Sequence, residues 1–128
     1  MPQVRQELSQ ACKRTHWMWF VFPQLQGLGH SSAARHFALA SLAEARAYLK
    51  HPVLGPRLIE CSELVRTAQA GSIRQIFADP DDLKFHSCMT LFSQAADSAP
   101  IFQANLDRYF DGLPDGLTMR LLTSKSRQ

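Results

Sequence analysis

The chain lacks a long hydrophobic run, since its longest uninterrupted apolar stretch, from Trp17 to Pro23, is seven residues of 128. A membrane-spanning helix needs about twenty apolar residues, so we expect no membrane span. Residues 1–10 are polar and lack the apolar segment of a secretory signal peptide. We therefore expect a cytoplasmic protein.

Cysteine is scarce, with three residues at Cys12, Cys61 and Cys88. Their odd number, their wide spacing and the absence of a Cys-x-x-Cys pair argue against a disulfide scaffold or a cysteine zinc site. We expect reduced thiols, no bound metal and no cofactor.

The chain carries only a small excess of positive charge, since its net charge is +3 and its pI is about 9. Part of that charge lies near the C-terminus, at Arg120, Lys125 and Arg127. Such a balance permits weak nucleic-acid binding without arguing for it. Nucleic-acid binding is therefore the third function considered, and nucleic acid is not an expected partner.

Apolar residues recur with the 3.6-residue helical period along most of the chain, and no pair of alternating segments predicts a sheet. The predicted fold is all-α, an irregular bundle of about seven helices in one domain over residues 1–122, with 123–128 as a flexible tail. One short helix is expected to begin at Ser31 or Ser32.

Several residues predict where helices begin and end. Ser41 and Glu44 have the spacing of a capping box, as do Ser72 and Gln75. Gly71 is predicted to end the long helix that precedes it, as a left-handed C-terminal cap.

The first candidate site flanks the apolar segment from Trp17 to Phe22. Its members combine cations, a histidine, an amide and two indoles: Lys13, Arg14, His16, Trp17, Trp19 and Gln24. An indole can stack on a base or sugar ring, and cations can hold a phosphate. The alternative is that both tryptophans are core residues and the cations are solvated.

The second candidate is the polar set Lys84, His86, Ser87 and Thr90, of which Lys84, Ser87 and Thr90 share one helical face. The alternative is an ordinary solvated surface. We expect the polar set to meet the first cluster, so that polar residues converge on one concave surface walled by a tryptophan. The converging residues are Lys13, His16, Gln24, Lys84 and Ser87.

These clusters favour a binding module that holds a small anionic or nucleotide-like ligand, or a partner protein, in an aromatic and cationic pocket. The alternative is a small enzyme acting on a nucleotide-type substrate, with His16 as its general acid-base residue. The preference for binding rests on the sequence offering no carboxylate pair, catalytic triad or metal ligand set.

The segment from His16 to Leu25 resembles the signature of a bacterial family of small helical proteins, domain-of-unknown-function family 1810, some of whose members are labelled calpastatin. The resemblance extends over most of the chain, through the segments Gly27–Gly29, Ser41–Leu49, His51–Leu58, Ile76–Phe77, Pro80–Lys84, Ser87–Phe92 and Leu106–Gly112.

This resemblance implies an all-helical fold and brings no established activity. Members of the family usually begin with a further helix before the position of Pro2. Without that helix, apolar surface would be exposed, and we expect a homo-oligomer to cover it or the chain to be less stable.

Overall fold

In the computed structural model, residues 2–15, 17–25, 38–96 and 99–126 are described, with the backbone alone for residues 19, 20 and 124–126. Within these ranges eight helices follow one another: α1 (Pro2–Ser9), α2 (Met18–Val21), α3 (Leu42–Lys50), α4 (Leu54–Arg66), α5 (Ile73–Ile76), α6 (Asp81–Ala95), α7 (Ile101–Tyr109) and α8 (Gly116–Ser126). The described residues form no strand beyond one isolated bridge between Leu25 and Leu39. The predicted all-α fold is confirmed.

The longest helix, α6, packs against α3, α7 and α8. Helices α3 and α7 also pack against α4, so they join the two longest helices into one bundle. Helix α1 packs against α4, and the single turn α5 packs against the beginning of α6. This order brings the segment after α1 close to the N-terminal end of α6.

Aromatic side chains fill the core where α2, α5 and α6 meet. The rings of Phe22 and Phe85 meet edge to face, with centroids 5.1 Å apart, and the Phe77 and Phe85 centroids are 5.2 Å apart. All three side chains are fully buried. Tilted and edge-to-face ring pairs of this kind contribute beyond the burial of their area.

Gly55 is required by the close approach of α3 to α4. A Cβ atom at this position would lie 2.0 Å from the backbone oxygen of Leu49. Only glycine therefore lets the beginning of α4 pack against the end of α3 without a backbone shift.

The first predicted capping box is confirmed in its serine half, because Ser41 Oγ accepts a hydrogen bond of 3.2 Å from the Glu44 N–H. The second is wrong in its bonding. Ser72 precedes α5 in an extended conformation, but its side chain makes no capping bond. Instead, the Gln75 side chain accepts a bond of 2.8 Å from the Gly71 N–H.

The prediction that Gly71 ends the long helix is also wrong, since α4 ends earlier in the chain and Gly71 has no positive φ. Side chains of α7 bind the carbonyls at this end instead. The Tyr109 hydroxyl donates to the Val65 oxygen at 2.7 Å, and the Arg108 guanidinium donates to the Ala68 oxygen at 2.6 Å. These tertiary bonds replace the glycine cap.

The helix predicted to begin at Ser31 or Ser32 falls outside the described residues. Helix α8 continues past Leu122 to Ser126, and the flexibility of residues 123–128 stays a prediction. No helix in the described ranges is both long and apolar enough to cross a membrane.

Candidate anion-binding site

The turn after α1 directs the following residues back over the end of that helix. Ala11 has a positive φ of 55°. The Ala11 N–H donates to the Leu8 oxygen and the Cys12 N–H to the Glu7 oxygen, both at 3.0 Å. This is the bonding of a Schellman turn, and it places residues 14, 15 and 17 beside the Glu7 side chain.

The Glu7 carboxylate organises this segment although its side chain is only 3% exposed. It accepts hydrogen bonds from the Arg14 N–H, from the Thr15 N–H at 3.0 Å, from the Thr15 hydroxyl at 2.7 Å and from the Trp17 indole N–H at 3.1 Å. Burial alone would raise the pKa of Glu7, but these bonds outweigh it and lower the pKa to about 2. Glu7 is therefore ionised at neutral pH and holds Arg14, Thr15 and Trp17 in place.

Trp17 is a core residue with 4% of its surface exposed. Its ring lies 6.2 Å from both Phe22 and Phe77, measured between centroids. For Trp17 the alternative interpretation, that it is a core residue, is confirmed. Because its indole is enclosed by these neighbours and bonded to Glu7, it offers no open face on which a ligand ring could stack.

Lys13 links this segment to α5 and α6. Its backbone N–H donates to the Ile76 oxygen at 2.9 Å. Its Nζ lies 2.8 Å from Asp81 Oδ2 and 5.2 Å from the centroid of the Trp17 ring. The Lys13 side chain is 9% exposed, so its ammonium group is largely shielded from water.

Lys84 approaches the same carboxylate from within α6. Its Nζ lies 3.3 Å from Asp81 Oδ1, so each carboxylate oxygen holds one ammonium group. Two ammonium groups and one carboxylate carry a net charge of +1. We call Lys13, Asp81 and Lys84 the two-lysine site. It lies in the first turn of α6, where the helix dipole favours negative charge.

A second ion pair lies beside the two-lysine site. Arg74 Nε donates to Asp82 Oδ2 at 3.2 Å, and an Arg74 terminal nitrogen lies 4.0 Å from Asp79. The other oxygen of Asp82 is buried and has no partner among the described residues. Arg74 therefore pairs with Asp82 and Asp79, whereas Lys13 and Lys84 both pair with Asp81.

Ser87 belongs to a different network from the two-lysine site. Its hydroxyl shares one proton between two acceptors, the Leu83 oxygen at 3.1 Å and Asp115 Oδ2 at 3.3 Å. The same Asp115 oxygen accepts from the Thr118 N–H at 3.0 Å, and the Asp115 N–H donates to the Thr90 hydroxyl at 2.8 Å. Ser87 and Thr90 therefore attach the beginning of α8 to α6.

The remaining predicted site residues are not linked to Lys13 by any described contact. Gln24 is buried; its backbone oxygen accepts from the Leu39 N–H at 2.9 Å, and its side-chain nitrogen has no partner in the described part of the chain. His16 and the side chain of Trp19 lie outside the described residues. Of the five residues expected to converge, the described contacts bring Lys13 and Lys84 together.

Sequence reasoning missed the two carboxylates that organise the site. Asp81 was not singled out from the sequence, although its spacing of three residues from Lys84 is that of a helical ion pair. Glu7 carries no comparable signal, because its partners lie in a turn whose path depends on the folded chain.

Comparison with known proteins identifies related chains of unknown activity. Residues 1–122 match the family described as "Protein of unknown function (DUF1810)". The chain is similar to the conserved hypothetical protein Rv1873 from Mycobacterium tuberculosis, whose crystal structure has been solved, with 52% identity and a TM-score of 0.93 over 95% of this chain and 87% of that chain. Comparison with curated proteins found no match.

Proposed function

We propose that this chain, which belongs to the DUF1810 family of proteins of unknown function, is a binding module for a small anionic ligand. A carboxylate or phosphate group of the ligand would bind at the two-lysine site. The observation that carries the proposal is the sharing of one carboxylate, Asp81, by the ammonium groups of Lys13 and Lys84.

Hydrogen-bond capacity at Lys13 supports this proposal. An ammonium group carries three N–H donors, and Asp81 is the acceptor of the Lys13 ammonium among the described residues. The Lys13 side chain is 9% exposed and the Lys84 side chain is 24% exposed, so an anion would approach the pair from the Lys84 side. There it would accept charge-assisted hydrogen bonds, which are roughly twice as strong as neutral ones.

The charge at this place points the same way. Two ammonium groups meet at Asp81, and the beginning of α6 adds the positive end of the helix dipole. An anion bound between Lys13 and Lys84 would interact favourably with both, whereas a cation would be repelled by both.

The burial of Trp17 narrows the expected ligand class. Because Trp17 offers no open face, a base or sugar ring gains no stacking on it. We expect the anionic group to dominate affinity, so that an anion without a base binds about as well as a nucleotide that carries the same group.

Isothermal titration calorimetry with three probes tests this proposal: pyrophosphate, ADP and uncharged adenosine. We expect pyrophosphate and ADP to bind and adenosine not to bind. Replacing Lys84 by methionine should lower the affinity for both anions by about tenfold or more, equivalent to about 1.4 kcal/mol of binding free energy. Arg120→Met removes a cation from an exposed position of α8 and serves as the matched control, which should bind normally.

Because Lys13 is nearly buried, Lys13→Met could alter folding as well as binding. A thermal unfolding curve therefore checks the folding of this variant, and Lys13→Arg serves as a second variant that keeps the charge. The proposal predicts that Lys13→Arg retains more affinity than Lys13→Met when both are folded. It is contradicted if neither anion binds the wild-type protein, or if folded Lys84→Met binds both anions with unchanged affinity.

A further inference from the structure

The two-lysine site already holds one anion, which is the carboxylate of Asp81. Lys13 Nζ lies 2.8 Å from Asp81 Oδ2, and Lys84 Nζ lies 3.3 Å from Asp81 Oδ1. The carboxylate therefore occupies the position from which one anion can contact both ammonium groups. A ligand anion that bridges Lys13 and Lys84 must take this position from Asp81, because two anions held there would repel each other.

Asp81 can leave this position without a change in the helix. It is the first residue of α6, and its backbone N–H donates to the Ala78 oxygen at 2.8 Å. Its side chain is 20% exposed, so the carboxylate lies at the edge of the molecule. Rotation of this short side chain is enough to turn the carboxylate towards water.

The two ion pairs of Asp81 are unequal, which gives the exchange an order. The Lys84 contact is the longer one, and the Lys84 side chain is 24% exposed against 9% for Lys13. Ion pairs between residues three apart on a helix are also individually weak. Lys84 is therefore the ammonium group that Asp81 releases first to an arriving anion.

Competition with Asp81 discriminates between carboxylate and phosphate ligands. An external carboxylate brings the same single charge and the same two oxygens as Asp81, but it also loses translational and rotational freedom on binding. The tethered carboxylate of Asp81 does not bear this cost. A phosphate monoester carries a charge of about −1.5 to −2 at neutral pH and presents three acceptor oxygens, so it can outcompete Asp81 for both ammonium groups.

We propose that Asp81 is an internal competitor that excludes carboxylates from the two-lysine site and restricts the ligand to a phosphate group. The bound phosphate accepts hydrogen bonds from Lys13 and Lys84 while the Asp81 carboxylate turns to water. This inference rests on the proposed anion-binding function and narrows its ligand class.

Titration of the wild-type protein with methyl phosphate and with acetate, followed by nuclear magnetic resonance, gives the first test. The two probes share a methyl group and differ in the anionic group, and the method measures weak binding. We expect methyl phosphate to bind and acetate to bind at least about tenfold more weakly. This comparison involves no substitution, so it decides the proposal even if a variant fails to fold.

The variant Asp81→Asn removes the competing charge and keeps the shape of the side chain. We expect it to raise the affinity for methyl phosphate by about tenfold or more and to make acetate binding measurable. Asp79→Asn is the matched control, since Asp79 is a nearby carboxylate that lies 4.0 Å from Arg74 and is 63% exposed. Its effect on affinity should be much smaller, and thermal unfolding checks the folding of both variants.

The inference is overturned if the wild-type protein binds acetate as tightly as methyl phosphate. It is also overturned if folded Asp81→Asn binds methyl phosphate no more tightly than the wild type, because Asp81 would then position the lysines without competing. An equal gain in Asp79→Asn would likewise refute direct competition. These results leave anion binding by the wild type intact, whereas the absence of methyl phosphate binding to both the wild type and Asp81→Asn would refute the proposed function as well.

Discussion

Replacing Glu7 by glutamine removes one negative charge from the end of α1 and leaves the shape of the side chain unchanged. Glu7 Oε1 accepts from the Arg14 N–H, the Thr15 N–H and the Trp17 indole, and a glutamine oxygen can accept the same three bonds. The glutamine nitrogen would face the Thr15 hydroxyl, which can turn to accept. The substitution therefore isolates the contribution of the charge.

The lowered pKa of Glu7 sets the size and the pH range of this effect. A pKa that falls from 4.5 to about 2 on folding corresponds to at most about 3 kcal/mol. Exposed Arg14 shows that water reaches the edge of the network, so we expect screening to reduce the effect to about 1–2 kcal/mol. Because the folded pKa is the lower one, the stabilisation is complete above pH 4.5 and is lost as pH falls towards 2.

Urea-induced unfolding of the wild-type protein and Glu7→Gln, followed by tryptophan fluorescence, measures this effect. We expect Glu7→Gln to be less stable by about 1–2 kcal/mol at neutral pH, with a smaller difference near pH 3. Glu7→Ala should lose about 3 kcal/mol or more, because buried donors are left without an acceptor. A stability difference between wild type and Glu7→Gln that is the same at neutral and acid pH would refute the reasoning.

Two further outcomes follow from the packing of the core. Gly55→Ala should destabilise the fold by about 1–3 kcal/mol in urea unfolding, since the new Cβ would lie 2.0 Å from a backbone oxygen of α3; Gly71→Ala, whose Cβ would meet its nearest neighbour at 3.5 Å, should change stability little. Burial raises the pKa of Cys61 to about 11 and also raises the pKa of fully buried Cys88, so both thiols should react with Ellman's reagent far more slowly than partly exposed Cys12. Rapid reaction of all three thiols in the native protein would contradict this expectation.

Local signals in the sequence were enough to predict the helical class and the beginnings of two helices, after Ser41 and after Ser72. The bond from the Glu44 N–H to Ser41 spans three residues, so a short pattern carries it. Likewise, Phe85, Cys88 and Phe92 form an apolar stripe that is buried in α6. Both features depend on residues within one or two helical turns of each other.

Contacts between residues far apart in the sequence could not be predicted from the sequence. Gly71 was assigned a cap that Arg108 and Tyr109 replace from α7. Asp81 gained its role from Lys13, which approaches it only after the turn at the end of α1 has formed. No local pattern records such contacts.

The candidate site was predicted in part. Cations near the apolar segment were chosen because burial of that segment would hold them at the edge of the core, and Lys13 lies there. Ser87 shares a helical face with Lys84, but Asp115 binds its hydroxyl, which sequence spacing does not disclose. The role of His16 and the self-association of the chain stay predictions.

Nuclear magnetic resonance of the lysine ammonium groups tests the central claim most directly, because it observes the two proposed binding groups themselves. The protein labelled with ¹⁵N lysine would be titrated with pyrophosphate, and the Nζ signals assigned from Lys84→Met and Lys13→Arg. The account predicts that the signals of Lys13 and Lys84 shift together with one common midpoint, whereas the signal of Lys50, on the exposed end of α3, stays in place. Unchanged Lys13 and Lys84 signals at saturating pyrophosphate would contradict the proposal, as would equal shifts of the Lys13, Lys50 and Lys84 signals.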